Sequence, residues 1–140
     1  MQAVIPKMKE KNFGRIINIT SAMVKNPHLI MGLSTSARSG LHGLSKALSR
    51  EVAQYNITIN NVLPERIDTD RQTQILNFQA KLADSTYEEA KKELEESLTA
   101  KRMGTVEEFS GICTFLCSEQ AAYISGQNIS VDGGNSTNLI

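Results

Sequence analysis

The feature that most limits the fold is an alternation of short β-branched runs with long stretches of helical periodicity. Arg15–Thr20 (Arg-Ile-Ile-Asn-Ile-Thr), Ile57–Leu63 and Asn128–Asp132 have the length and composition of strands. The first of them reads as buried on both faces. A helical segment to Lys11, a helix from about Leu33 to Tyr55, the polar stretch Asp70–Ala100 and a helix to about Ser118 occupy the rest. Strand, helix, strand, helices, strand is the order of parallel strands joined by right-handed helical crossovers. It predicts part of a doubly wound α/β sheet. Three strands are few for that architecture, so the strand Arg15–Thr20 is expected to present an unpaired edge where another strand belongs.

The helices carry their own signals. Pro6 interrupts the opening segment, and Asn12-Phe13-Gly14 ends it. Leu41, Leu44, Leu48 and Val52 recur at three- and four-residue spacing and predict a core-facing stripe. Ala37, Gly40 and Gly43 offer small surfaces for close packing. Glu88, Glu89, Lys91, Lys92, Glu93, Glu95 and Glu96 predict a solvated face. Thr105 and Glu108 have the spacing of a capping box, in which the hydroxyl and the carboxylate satisfy each other's backbone N–H.

At 140 residues the chain fits one domain, residues 1–140. Fifteen basic and fifteen acidic residues cancel, which removes the electrostatic case for nucleic acid or an anionic membrane as partner. No apolar run approaches the roughly 20 residues of a membrane span, and Met1–Lys7 lacks the pattern of a signal peptide. A cytoplasmic setting is expected. Cys113 and Cys117, one helical turn apart, have no nearby ligating or basic groups. They are expected to pack rather than to carry redox chemistry, and no metal site is expected. His28 and His42 have no recognisable partner, so solvent-facing or packing roles are expected for both.

Four segments, in order, resemble the C-terminal half of short-chain dehydrogenase/reductases, in particular the 3-oxoacyl-[acyl-carrier-protein] reductase-like branch. Gly14–Ser21 is similar to the family strand that ends in the catalytic serine. Pro64–Thr69 (Pro-Glu-Arg-Ile-Asp-Thr) resembles the loop beside the nicotinamide, and Arg102–Glu108 resembles the helix start near the substrate. Tyr123–Gln127 with Val131–Gly134 resembles the terminal strand signature. Together they cover Met1 to about Asn135. The resemblance implies the C-terminal half of a Rossmann-type sheet, about three parallel strands with flanking helices. It implies NAD or NADP as cofactor of the complete fold and a small-molecule carbonyl substrate. The glycine-rich turn and the Asn-Asn-Ala-Gly segment of the family's front half have no counterpart here.

The resemblance also assigns residues. Ser21 takes the place of the serine that holds the substrate oxygen. Thirteen positions on, where the family has tyrosine, stands Ser34, and the lysine position is Arg38. A phenol, with a pKa of about 10 that a nearby cation lowers, is a serviceable proton donor. An alkyl hydroxyl is not, so Ser34 is left to relay a proton through water or to N-cap its helix. Arginine keeps a positive charge for a ribose hydroxyl or an alkoxide. The implied catalytic set is Ser21, Ser34 and Arg38, and the implied cofactor contacts are Arg38, Pro64, Ile67 and Thr69. Glu65 stands where the family has glycine, adding bulk and negative charge. Three readings follow. One is part of an NAD(P)-dependent oxidoreductase of carbonyl or hydroxyl substrates such as 3-oxoacyl thioesters, inactive alone. Another is a non-catalytic module that forms homo-oligomers or pairs with an intact relative. The last is a truncated product without a role.

Overall fold

The structure, a computed structural model, describes residues 1–139. Its elements are α1 (Ile5–Glu10), β1 (Gly14–Ile19), α2 (Gly32–Val52), β2 (Ile57–Pro64), α3 (Asp70–Leu82), α4 (Tyr87–Ser97), α5 (Val106–Cys117) and β3 (Asn128–Val131). The strands form one parallel sheet in the order β1-β2-β3. Gly14 stands opposite Ile57 and Asn18 opposite Asn61, and Asn61 in turn stands opposite Asn128.

Central β2 is covered on both faces, and Ile57, Ile59, Val62 and Leu63 are all buried. Ile57, Ile59 and Val52 pack with Ile5, Met8 and Leu48 of α1 and α2 on one face. Val62 packs with Leu116, Phe109 and Ile112 of α5 on the other. Each such aliphatic side chain contributes about 1.5–3 kcal/mol by leaving water. A third cluster, Leu76, Leu98 and Met103, joins α3 to α4 and the segment after it. β3 enters the sheet through Gly126, which has φ +69° and donates to the Ile59 carbonyl at 2.7 Å. A Cβ there would lie 2.6 Å from Ser49 Oγ, so both the turn and the close approach require glycine.

Two expectations need correcting. β1 is not buried on both faces: it forms the edge of the sheet, and Ile19 is 64% exposed. The leucine stripe of α2 is its core face only in part: Val52 is buried and Leu48 packs beside it, but Leu44 is 53% exposed and Thr35, His42, Ser45 and Ser49 are buried instead. The reason is polar pairing. Ser45 Oγ donates to the Leu41 carbonyl at 2.7 Å and accepts from Asn18 Nδ2 at 3.0 Å, so a short hydroxyl seats the helix on the sheet better than leucine would. Gly40 and Gly43 meet nothing within 4 Å. Their small surfaces face outward, in line with Leu33 and Leu44.

Capping is explicit. Thr105 and Glu108 form the expected box, and Thr86 with Glu89 forms another at the start of α4. Cys113 packs against the Val62 and Leu116 cluster, while Cys117 is exposed. No described helix is long and apolar enough to cross a membrane.

Candidate functional site

In open α/β sheets ligands bind outside the carboxyl ends of the strands. At the end of β1 the chain turns into a short 3₁₀ helix, Ala22–Val24, whose N-cap is Ser21. Ser21 Oγ accepts from the Met23 N–H at 3.3 Å, and among the described residues its own O–H has no acceptor. That leaves a proton free to be donated to a carbonyl oxygen.

At the end of β2, the Glu65 N–H donates to the Val131 carbonyl at 3.1 Å and prolongs the pairing with β3. Arg66 then adopts φ +52°. The Gly104 N–H donates to the Arg66 carbonyl at 3.0 Å, and the Asp68 N–H donates to the Gly104 carbonyl at 2.8 Å. Ile67 lies so close that a Cβ on Gly104 would be 2.9 Å from its Cδ1. Thr69 closes the loop as N-cap of α3, its Oγ1 accepting from the Gln72 N–H at 3.4 Å. A five-residue loop is thus pinned at both ends and in the middle.

Two clefts flank this loop. One, of about 210 Å³, is lined by Ser21, Met23, His28, Pro64, Arg66 and Gln72 among others. The second, of about 190 Å³, lies beside Ile67, Arg102, Glu108 and Asp132. Glu65 and Arg66 stand in both walls. Arg102 donates to both carboxylate oxygens of Glu108, at 2.8 and 2.6 Å. That guanidinium and the Thr105 N–H hold the Glu108 carboxyl down at about 2.

The sequence-assigned residues divide between these places. Ser21 and Pro64 share the first cleft, and Ile67 lines the second. Ser34 and Arg38 are outside the walls of both, on the first turns of α2. Arg38 Nη1 donates to the Ser34 carbonyl at 3.2 Å and also to Ser34 Oγ. Ser34 is not an N-cap. The 3₁₀ turn Leu29–Met31 runs straight into α2, so the cap position falls on Met31 and Ser34 lies within the helix. Its oxygen instead receives the guanidinium and orients it.

Other residues here carry weaker sequence signals. His42 is buried, and its Nε2 lies 2.8 Å from Thr20 Oγ1, next in sequence to Ser21. Burial, and then the charge of Lys25, push the His42 imidazole below its ordinary pKa of 6.5. Its place four residues after Arg38 is the one signal in the sequence, and it puts the two side chains on the same helical face. Arg66 lies inside the Pro64–Thr69 loop, and Gln72 falls three residues after Thr69. No group of His, Cys, Asp and Glu among the described residues is arranged to hold a metal ion.

A parallel sheet with a free serine hydroxyl at one strand end, a serine–arginine pair on the following helix and a pinned Pro-to-Thr loop at the next strand end defines one half of a Rossmann-type α/β fold. The family model described as enoyl-(acyl carrier protein) reductase matches residues 1–136, and the chain belongs to the short-chain dehydrogenase/reductase family. It is similar to the NADPH-dependent reductase BacG of Bacillus subtilis, 38% identical over 91% of this chain and 49% of that protein. It is also similar to the 3-oxoacyl-[acyl-carrier-protein] reductase FabG of Aquifex aeolicus, 35% identical over 95% of this chain and 49% of that protein. Among solved structures, YwfH, an NADPH-dependent reductase involved in bacilysin biosynthesis, superposes with a TM-score of 0.87 at 36% identity. That match covers 94% of this chain and 50% of YwfH. The chain thus spans about half the length of the relatives it matches.

Proposed function

We propose that this chain supplies the substrate-facing half of an NAD(P)-dependent oxidoreductase acting on a carbonyl or hydroxyl group, and that it is inactive by itself. The observation that carries the reading is Ser21: its hydroxyl oxygen is fixed by the Met23 N–H while its proton stays uncommitted beside a cleft. The residues present fit one end of a nicotinamide cofactor. Thr69 and the N–H groups of the first turn of α3 suit the nicotinamide side. They do not fit the adenosine diphosphate end, because neither β1 nor β2 runs into a glycine-rich turn and helix. When bound, the nicotinamide supplies hydride to the carbonyl carbon.

The chain's own residues then act on oxygen. Ser21 donates a hydrogen bond to the carbonyl oxygen. Arg38, oriented by Ser34, supplies positive charge against the developing alkoxide. With no phenol in place, the proton that completes the alcohol comes from water. Pro64 and Ile67 set the position of the loop, and a 3-oxoacyl thioester is one candidate substrate.

The test is hydride transfer from NADPH by a longer polypeptide that joins this chain to a dinucleotide-binding half, with Ser21→Ala as control. Loss of about 10²-fold in kcat on Ser21→Ala is expected for removal of one oxyanion donor. An unchanged kcat would sink the assignment. NADPH binding by the 140-residue chain alone would overturn its proposed dependence on the other half.

A second reading is favoured by the outer face of α2. Leu33, Ala37, Gly40, Leu44 and Ala47 form an uncharged exposed stripe, continued by Leu29 at 99% exposure. Such a stripe suits association with a second copy or an intact relative. Replacing Leu44 with Glu should then release the chain from co-purified oligomers.

A further inference from the structure

Half-buried arginines need partners, because a charge taken partly out of water is costly when left unpaired. This chain has Arg15, Arg38 and Arg66 in half-buried positions. Arg15 donates to the carbonyls of Gly14, Asn56 and Ser118, and Arg38 donates to Ser34. Arg66 makes no side-chain hydrogen bond or ion pair among the described residues. Its neighbour Glu65 makes no ion pair with it; Glu65 Oε1 instead accepts from Asn135 Nδ2 at 2.8 Å. Asn135 Oδ1 in turn accepts from the Thr99 N–H at 3.4 Å, so the Glu65 carboxylate is held toward the C-terminal segment.

Arg66 is also fixed in a rare backbone conformation. Its φ of +52° favours glycine, and it is held there by the Gly104 N–H on its own carbonyl and, two residues on, by the Asp68 N–H on the Gly104 carbonyl. A strained non-glycine residue in the wall of a cleft points to a role for its side chain. Gln72 lines the same cleft, is only 7% exposed, and has an Nε2 without an acceptor among the described residues. One guanidinium therefore lacks an acceptor in the cleft that Ser21 shares, with the Gln72 side chain packed in its wall.

We infer that Arg66 is a specificity-determining residue that receives a carboxylate, with Gln72 beside it. The substrate is then a small oxo acid or its hydroxy acid rather than an acyl thioester. A carboxylate takes the fork of a guanidinium bidentately. Ser21 is left for the carbonyl oxygen. This inference rests on the oxidoreductase reading for what happens at that carbonyl, and its test does not.

The experiment is a titration of the 140-residue chain with 4-oxopentanoate, methyl 4-oxopentanoate and the N-acetylcysteamine thioester of 3-oxobutanoate. The readout is the Arg66 and Gln72 side-chain resonances. The acid is expected to move both and to bind about tenfold more tightly than the ester. Arg66→Gly, which suits the positive φ and so preserves the loop, should abolish that preference. Arg71→Gln, which removes an exposed arginine of α3, should leave it unchanged. Equal binding of acid and ester, acid preference that survives Arg66→Gly, or tighter binding of the thioester would overturn the inference. No cofactor enters the measurement, so an absence of hydride transfer in the longer polypeptide would fell the oxidoreductase reading alone. Reduction of neutral ketones there, with no preference for acids, would fell this one alone.

Discussion

Asn18 of β1 and Asn61 of β2 stand opposite each other in the parallel sheet, and Asn18 Nδ2 donates to Asn61 Oδ1 at 3.0 Å. The pairing continues across the sheet: Asn61 Nδ2 donates to Asn128 Oδ1 at 2.7 Å, from its register partner on β3. Three strands are thus linked by side-chain amides as well as by backbone. A one-residue slip of any strand would carry its asparagine to the opposite face and break the row. The row locks the register that brings Ser21 and Pro64 to one edge.

Asn61→Ala should therefore cost more than its surface loss. It leaves the Asn128 oxygen without its donor and the Asn18 amide with Ser45 alone. An expected loss of about 1–3 kcal/mol would be read from the urea midpoint. Ser45→Ala should cost less, because Asn18 keeps Asn61. A midpoint unmoved by Asn61→Ala would show that the row adds no stability.

His42 makes a prediction with a definite sign. Its folded pKa lies below 6.5, through burial first and the charge of Lys25 second. The unfolded chain therefore takes up the proton first as pH falls. Stability is lost from about pH 6.5 downward until the folded value is passed. His42→Gln keeps a group able to bond Thr20 and removes the titration. The drop in denaturation midpoint between about pH 7.5 and about pH 5.5 should be smaller in the variant. His28 is common to both proteins and cancels in the comparison. Equal drops would mean that His42 does not titrate in this window.

The strands and their parallel order were legible because β-branched runs bounded by Asn-Phe-Gly, Pro64 and Gly126 leave few other foldings. The capping box at Thr105 was legible for a similar reason: both halves of it lie within four residues. What the sequence concealed depends on contacts between distant segments. The leucines of α2 predict a core face by periodicity, yet Ser45 and Ser49 turn inward because Asn18 and the turn at Gly126 lie beneath them. Ser34 has the character of a cap, but a 3₁₀ turn ahead of it moves the helix start to Gly32. Thr20 and His42 are 22 residues apart and meet only once β1 and α2 are packed. Of the site, Ser21 and the Pro64–Thr69 loop were readable through resemblance, whereas the unpaired state of Arg66 is a property of the folded chain alone.

Glu108 gives the opposite pH window. Arg102 and the Thr105 N–H hold its carboxyl at about 2, down from an ordinary 4.5. A depressed carboxylate stabilises the fold above the unfolded value and loses that contribution as pH falls through the folded one. Between about pH 4.5 and about pH 2 the midpoint should therefore fall less steeply in Glu108→Gln than in the unaltered chain. Glutamine retains the reach of a capping box, so the variant should fold. Matching slopes would show that the Arg102–Glu108 pair does not couple to folding.

The two cysteines of α5 should differ in reactivity although only one turn separates them. Cys113 packs beside Val62 and Leu116, and burial first, with the charge of Cys117 second, pushes its thiol upward. Cys117 is exposed. The thiolate is the reacting species, so both access and pKa slow Cys113. Iodoacetamide should alkylate Cys117 first, with Cys113 slower by at least about tenfold in the folded chain. In denaturant the two rates should converge. Mass spectrometry of partially alkylated peptides separates the sites, and equal labelling of both without denaturant would mean that α5 does not hold Cys113 against the sheet as the structure has it.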